Sequence, residues 1–433
     1  TRAAEFDDGK YDNTPIIRRI LELRREEAEL LGFKNFGELS LATKMAKDPA
    51  EVLAFLRDLA KRSRPRALED AGEVNDFAKK TLGIDEVEPW DRPYAAEKLR
   101  EARYSYSDAE VKRYFTQNAV FAGLFRMVET LFGIEIEEKR TSVWHPDVKY
   151  FEVKREGKLI AAFYADLYAR EGKRSGAWMD GERTRRRLPD GKLVTPVAYL
   201  VTNFAAPVEG REATMTHDEV TTLFHEFGHT LHHILTAQEE AQVSGINGVE
   251  WDAVELPSQF LENFAWEHDV VKAISRHADT GESLPDELFK KLIAAKNFEA
   301  GAFCVRQVEF ALFDMLLHAE FNPKTDSVPA LLDAVRKEVA VVFPPKWTRF
   351  PQSFAHIFAG GYAAGYYSYK WAGVLSADCF SAFEEEGVLN PKTGRRFLTE
   401  ILERGSSRDA IENFVAFRGR KPELDALLRL SGI

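Results

Sequence analysis

Five residues near the middle of the chain, His225-Glu226-Phe227-Gly228-His229, set two histidines four apart with a glutamate beside the first. On a helix, positions four apart lie one turn apart on one face, so both imidazoles can reach one cation. Glu226, one position on, falls beside that cation rather than on it. A carboxylate there can take a proton from a water whose pKa a zinc ion lowers to about 7, the chemistry of H-E-x-x-H hydrolases. His232 and His233 continue the segment. They read as packing residues or as supports for the ligands, because a catalytic zinc needs only three protein ligands. The third must come from elsewhere. Downstream, Trp251 to Glu267 carries Asp252, Glu255 and Glu262 at spacings that put all three near one helical face. One can bind the metal while another orients a ligand histidine. Spacing alone does not choose among them.

A second chemistry-bearing stretch is His356 to Tyr369, HIFAGGYAAGYYSY, with four tyrosines and three glycines in fourteen residues. By composition it reads as an aromatic helix packed through its small residues. The alternative is that glycines allow close approach to a peptide backbone, while tyrosine hydroxyls and His356 donate to a developing oxyanion. Tyr362, Tyr366 and Tyr369 share the spacing of one helical face, and Tyr367 points elsewhere, towards packing. Ala177-Trp178-Met179 reads either as a wall of a substrate site or as a small core cluster. Arg418-Gly419-Arg420-x-Pro422 reads as a structural tie between helix ends, and Cys304 as inert packing in an apolar helix.

The elements that must position these residues are mostly helical. Asp48-Pro49 with Glu51 is a helix start, and Val52, Phe55, Leu56 and Leu59 then form one buried stripe. Thr14-Pro15 to Gly32 has the same start and stop signals. Val148–Arg155 and Lys158–Asp166 flank Glu156-Gly157 and predict a hairpin. Pro196 to Phe204 predicts a third strand, at a sheet edge. The H-E-x-x-H helix opens at Thr216, where Thr216 and Glu219 form a capping-box pair. Helical patterning then runs to the end, broken at Pro344-Pro345 and around Gly360-Gly361.

The chain has 433 residues, 59 Lys+Arg against 70 Asp+Glu, and 45% apolar content, enough for a large core. Its net charge of −11 argues against nucleic-acid and anionic-membrane partners, which would want a basic face. Two cysteines, Cys304 and Cys379, cannot staple a chain this long, so a reducing cytoplasmic setting is expected. No run approaches the length of a membrane span. Thr1-Arg2-Ala3-Ala4-Glu5 has neither a Met nor a signal-peptide pattern, and a cut from a longer chain is expected.

HEFGHTLHH, VSGINGVEWD and AVELPSQFLENFAWE together resemble the thimet-oligopeptidase family of zinc metallopeptidases. So do LLGFKNFGELSLATKMAKDP, VWHPDV, FYADLYAREGKRSGAWM and IFAGGYAAGYYSY, so the likeness covers essentially the whole chain. The resemblance implies that Glu255, in the E-x-P-S-Q element, is the third zinc ligand. It implies transition-state roles for Tyr369 and His356, and substrate contacts for Tyr362 and Tyr366; Trp178 joins them as the candidate wall residue. It also implies hydrolysis of short peptides in a deep channel between two largely helical lobes. Family members carry a further helical region ahead of the position matching Thr1, so a missing N-terminal segment of the same protein is an expected partner.

The sequence thus predicts a mainly α, zincin-like helical metallopeptidase with a small β-sheet ahead of the H-E-x-x-H helix. Residues 1–140 are expected to form part of the channel wall and residues 141–433 the catalytic region, the two acting together as one peptidase domain. The expected activity is that of a zinc-dependent endopeptidase on short oligopeptides. One Zn²⁺ is held by His225, His229 and Glu255, and Glu226 is general base on the zinc-bound water. Two rivals are a peptidyl-dipeptidase of the same family and a peptide-binding module with a structural zinc. The free carboxylate of Glu226 counts against the latter, since a structural site closes with four protein ligands.

Overall fold

The computed structural model describes residues 10–433 except Tyr106 and Glu209. The helices used below are α1 (Thr14–Leu30), α2 (Phe36–Leu41), α3 (Pro49–Phe77), α4 (Gln117–Phe132), α5 (His217–Ile234), α6 (Leu256–Phe264), α7 (Ala300–Ala319) and α8 (Ser368–Glu386). The strands are β1 (Glu135–Lys139), β2 (Lys149–Arg155), β3 (Lys158–Tyr168), β4 (Trp178–Arg183), β5 (Arg186–Arg187), β6 (Leu193–Val194) and β7 (Val197–Phe204). Helix predominates, as the patterning predicts. No helix among the described residues is long and apolar enough to cross a membrane.

The chain divides into two compact units. The first takes residues through Tyr104, Ala295–Trp371 and Leu428–Ile433; the second takes Ser105–Ala294 and Ala372–Leu427. Residues 140 and 141 both lie in the second.

In the first unit α3 packs lengthwise on α7. Asp48 caps α3 by accepting from the Glu51 N–H at 2.9 Å, and Glu51 reaches back to the Lys47 N–H at 2.8 Å. Val52, Leu56 and Leu59 are buried without exposure, while Phe55 lies at the margin, edge-on to Trp371. A Cβ at Gly301 would stand 2.5 Å from the Ala67 nitrogen, so a glycine lets the two helices touch backbone to backbone.

In the second unit a five-stranded sheet has the order β1-β2-β3-β7-β4, and β5 and β6 form a separate two-stranded ladder. The β2–β3 hairpin forms where predicted. Its turn places Glu156 at φ +51° and Gly157 at φ +72°, both left-handed, as a two-residue hairpin turn demands. The third predicted strand forms, but not at an edge. β7 is internal, parallel to β3 and antiparallel to β4. Both of its faces are covered, which is why its sequence reads as a nearly continuous apolar run. The edge beside it is β4, WMDGER, whose charged sequence carries no strand signal. Phe125 of α4, Phe151 and Phe163 of the sheet and Phe227 of α5 meet in one aromatic core. Arg418 and Arg420 both donate to the buried carboxylate of Asp378, at 3.0 and 2.6 Å, which is the structural tie expected of them.

Candidate metal centre and tyrosine segment

The capping box at the start of α5 forms as predicted. Thr216 Oγ1 accepts from the Glu219 N–H at 3.1 Å, and Glu219 accepts from the Thr216 N–H at 2.8 Å. Phe227 turns into the aromatic core, 5.5 Å from Phe163 between ring centres. That fixes the rotation of the helix, so His225 and His229 point to the other side.

α6 brings the carboxylates to them. It starts at Leu256, one residue after Glu255, so Pro257 stands in its first turn, where no N–H is needed. Asp252 precedes the helix and is fully buried. Gly228 explains how close the two segments come. A Cβ there would stand 2.5 Å from the Pro257 carbonyl oxygen and 2.6 Å from the Ser258 Cα, so any other residue would drive α5 and α6 apart.

At this contact His225 Nε2 and His229 Nε2 face the same Glu255 oxygen, Oε2, at 3.2 and 3.1 Å. One donor atom from each of the three residues lies within 4.8 Å of the other two. Ser258 Oγ donates to the same Glu255 oxygen at 2.9 Å and fixes its rotamer. His225 Nδ1–H donates to Glu262 Oε1 at 2.6 Å, which leaves Nε2 to face Glu255. The three carboxylates left open by spacing are thereby separated. Glu255 shares a focus with both imidazoles, Glu262 stands behind one of them, and Asp252 lies outside the donor group.

The electrostatics agree with a site built for a cation. Burial opposes charge on His225, yet Glu255 and Glu262 hold its pKa well above the ordinary imidazole value. Burial likewise opposes charge on Glu255, and the two histidines hold its carboxyl well below the usual range. Glu226 is 6% exposed. Burial pushes its pKa up, and the two histidines pull against that rise. Two nitrogens and a carboxylate, with a neighbouring free carboxylate, suit a borderline-soft divalent metal such as zinc.

His232 and His233 are buried and neutral; burial holds the pKa of His232 down to about 3 and lowers that of His233. His233 Nε2–H donates to the Arg183 carbonyl at 3.1 Å, and its ring lies against Gly181, where a Cβ would approach to 3.0 Å. These contacts pin edge strand β4 to α5. Sequence reading missed both Gly181 and the strand. Half-buried Trp178 opens β4 opposite Val201. The segment before it is tied down by Lys173, whose ammonium donates to Asp166 Oδ1 at 2.8 Å and to the Tyr168 and Thr202 carbonyls at 2.9 and 2.6 Å.

The tyrosine segment belongs to the first unit, and its form differs from the expected helix. Residues 363–367 are turns, with Ala364 at φ +48°, and α8 begins only at Ser368. The helical spacing therefore does not hold, yet the rings still gather. Tyr362 and Tyr369 stack at 4.9 Å and 17°. Tyr366 stands edge-on to Tyr369 at 5.3 Å, and exposed His356 lies 6.1 Å from Tyr362 and 6.5 Å from Tyr369. Tyr366 is buried, its hydroxyl donates to Gln307 Oε1 at 2.9 Å, and burial raises its pKa to about 12. Tyr367 is fully buried against Trp371, the packing role expected of it, although no helical face places it there. Sequence reading also passed over Asp314, although a lone Asp inside the apolar run FALFDMLLHA, four residues before His318, is a visible signal.

The chain is 54% identical over its whole length to oligopeptidase A of Salmonella typhimurium and spans 64% of that protein's length. It is 37% identical, again over its whole length, to dipeptidyl carboxypeptidase of the same organism, also spanning 64% of it. Among solved structures it is similar to PZ peptidase A with a bound inhibitor, at a TM-score of 0.62 and 18% identity, covering 99% of this chain and 65% of that one. That likeness shows the fold, mainly helical with a small sheet. The model of peptidase family M3 matches residues 1–433, and the chain belongs to that family.

Proposed function

We propose that this protein is a zinc-dependent endopeptidase acting on short oligopeptides. The observation that carries the reading is the meeting of His225, His229 and Glu255 at one focus with Glu226 beside it. Among the described residues this donor group has three members. A structural zinc site normally closes with four, so the count favours a catalytic site with a position left open. A zinc ion there, when bound, supplies Lewis acidity toward a water and a peptide carbonyl.

The remaining work falls to the chain. Glu262 and Ser258 orient His225 and Glu255. Glu226, with its pKa raised by burial, accepts the proton of the attacking water and passes it to the leaving amine. Tyr369 and His356 are proposed as donors to the substrate as its carbonyl becomes tetrahedral. Tyr362 and Trp178 are proposed as substrate contacts, with Tyr366 as the buried support beside Tyr369. Among the described residues β4 pairs with β7 alone, and its other side is proposed to offer hydrogen-bonding groups to an extended peptide backbone. Two free, buried cysteines support a cytoplasmic setting. Identity of 54% to oligopeptidase A against 37% to dipeptidyl carboxypeptidase favours internal cleavage over dipeptide release.

The test is mass spectrometry of products from unrelated peptides of increasing length, with and without a chelator. Internal cuts abolished by the chelator are expected. Stepwise release of C-terminal dipeptides would favour the rival activity, and zinc-loaded protein that cuts nothing would refute both.

A further inference from the structure

We propose that Asp314, backed by His318 and Arg24, is a positioning residue that fixes the backbone of the tyrosine segment and so sets how Tyr362 and Tyr369 meet a peptide. The proposal rests on the reading of that segment as substrate-facing. Asp314 lies inside α7 among Phe313, Met315 and Leu316, with no exposure. A carboxylate so placed must be compensated by hydrogen bonds and charge. Three consecutive backbone N–H groups provide part of this. Ala364 donates to Oδ1, and Gly365 and Tyr366 donate to Oδ2, each at 2.9 Å.

A left-handed residue in a turn lets successive N–H groups converge on one anion, and here that residue is Ala364 at φ +48°. An alanine does not hold that conformation unaided. The anion therefore stabilises the turn as much as the turn satisfies the anion.

Behind Asp314 stands a chain of donors. Arg24 Nη1 lies 2.9 Å from His318 Nε2. A guanidinium can only donate, so Nε2 accepts and the ring proton sits on Nδ1. From there it reaches Asp314 Oδ1 at 2.9 Å and the Asp314 carbonyl at 2.8 Å. Both side chains of the His–Asp pair are 1% exposed. Two further ties hold the segment: Ser40 Oγ donates to the Ala363 carbonyl at 2.9 Å, and Tyr366 donates to Gln307. Gln307 and Asp314 are seven residues apart, two turns along one face of α7. The segment is thus clamped by its backbone to a buried helix, while Tyr362 and Tyr369 stand outside the clamp with their rings stacked.

Asp314→Asn keeps the volume but has one acceptor oxygen, and its amide nitrogen confronts N–H donors. Hydrogen exchange at residues 364–366 should speed up about 10-fold or more. Zinc content should stay at one per chain, KM for a quenched peptide should change little, and kcat should fall about 10²-fold. His318→Leu should give the same pattern more weakly. His318→Gln should restore much of it, since its amide can donate to Asp314 while accepting from Arg24. If Asp314→Asn does not fold, the His318 pair carries the same comparison. Unchanged exchange at 364–366, or faster exchange with unaltered kcat, would overturn the proposal. Failure of the endopeptidase reading is distinguishable, because the unmutated, zinc-loaded protein would then cut nothing while the exchange arm still reported on the clamp.

Discussion

Glu255 and Glu262 differ in what they touch, and their substitution should separate them. Glu255 shares a focus with both histidines, so Glu255→Ala should leave two ligands and lose most zinc at micromolar chelator. Glu262 bonds only the far nitrogen of His225, so Glu262→Ala should weaken zinc by about 10- to 100-fold and no more. Competitive chelator titration ranks the two, and the reverse order would exchange their roles. Tyr369→Phe removes a hydroxyl proposed to act only as the carbonyl becomes tetrahedral. It should lower kcat by about 10²- to 10³-fold with KM nearly unchanged. Tyr367→Phe is the control, because that ring is fully buried against Trp371. Equal effects from the two, or a Tyr369→Phe defect confined to KM, would return the segment to a packing role.

The α5–α6 contact is the element on which the proposed metal site depends, and Gly228 is its weak point. Gly228→Ala places a methyl within 2.5 Å of the Pro257 carbonyl. Overpacking of this kind costs about 1–3 kcal/mol. Because the displaced helix carries Glu262 and follows directly on Glu255, zinc affinity should fall at least as far as in Glu262→Ala. Thermal denaturation beside zinc titration checks this, and a normal melting point with normal affinity would contradict the close contact. Sequence legibility divides along the same line. The capping box, the Glu156-Gly157 hairpin and the H-E-x-x-H face are local patterns, and each forms as read. The internal position of β7 was not legible, because parallel pairing with β3 joins strands far apart in the chain. Strand β4 was not legible because its sequence is charged; pairing with β7 and the His233–Arg183 bond hold it. The tyrosine cluster was found by composition, but its shape depends on Asp314, some fifty residues earlier.

At the scale of the whole molecule, metal binding and folding should be coupled. The donor group draws on α5 and on the segment leading into α6, which meet only in the folded chain. Zinc bound there would add about 4 kcal/mol at a thousandfold excess over Kd. Chelation should lower the melting temperature, and added zinc should restore it. A melt indifferent to chelator would argue that the three residues do not hold a metal. The central claim is that this site hydrolyses peptides with Glu226 as the proton carrier, and one variant tests it most directly. Glu226→Gln is close in shape but cannot accept the water's proton, and such transfers contribute about 10²- to 10⁴-fold in rate. Zinc content by mass spectrometry, measured beside the hydrolysis rate of a quenched peptide, should show a full complement of metal and almost no turnover. A zinc-loaded Glu226→Gln protein that cuts peptides at near the unmutated rate would contradict the account.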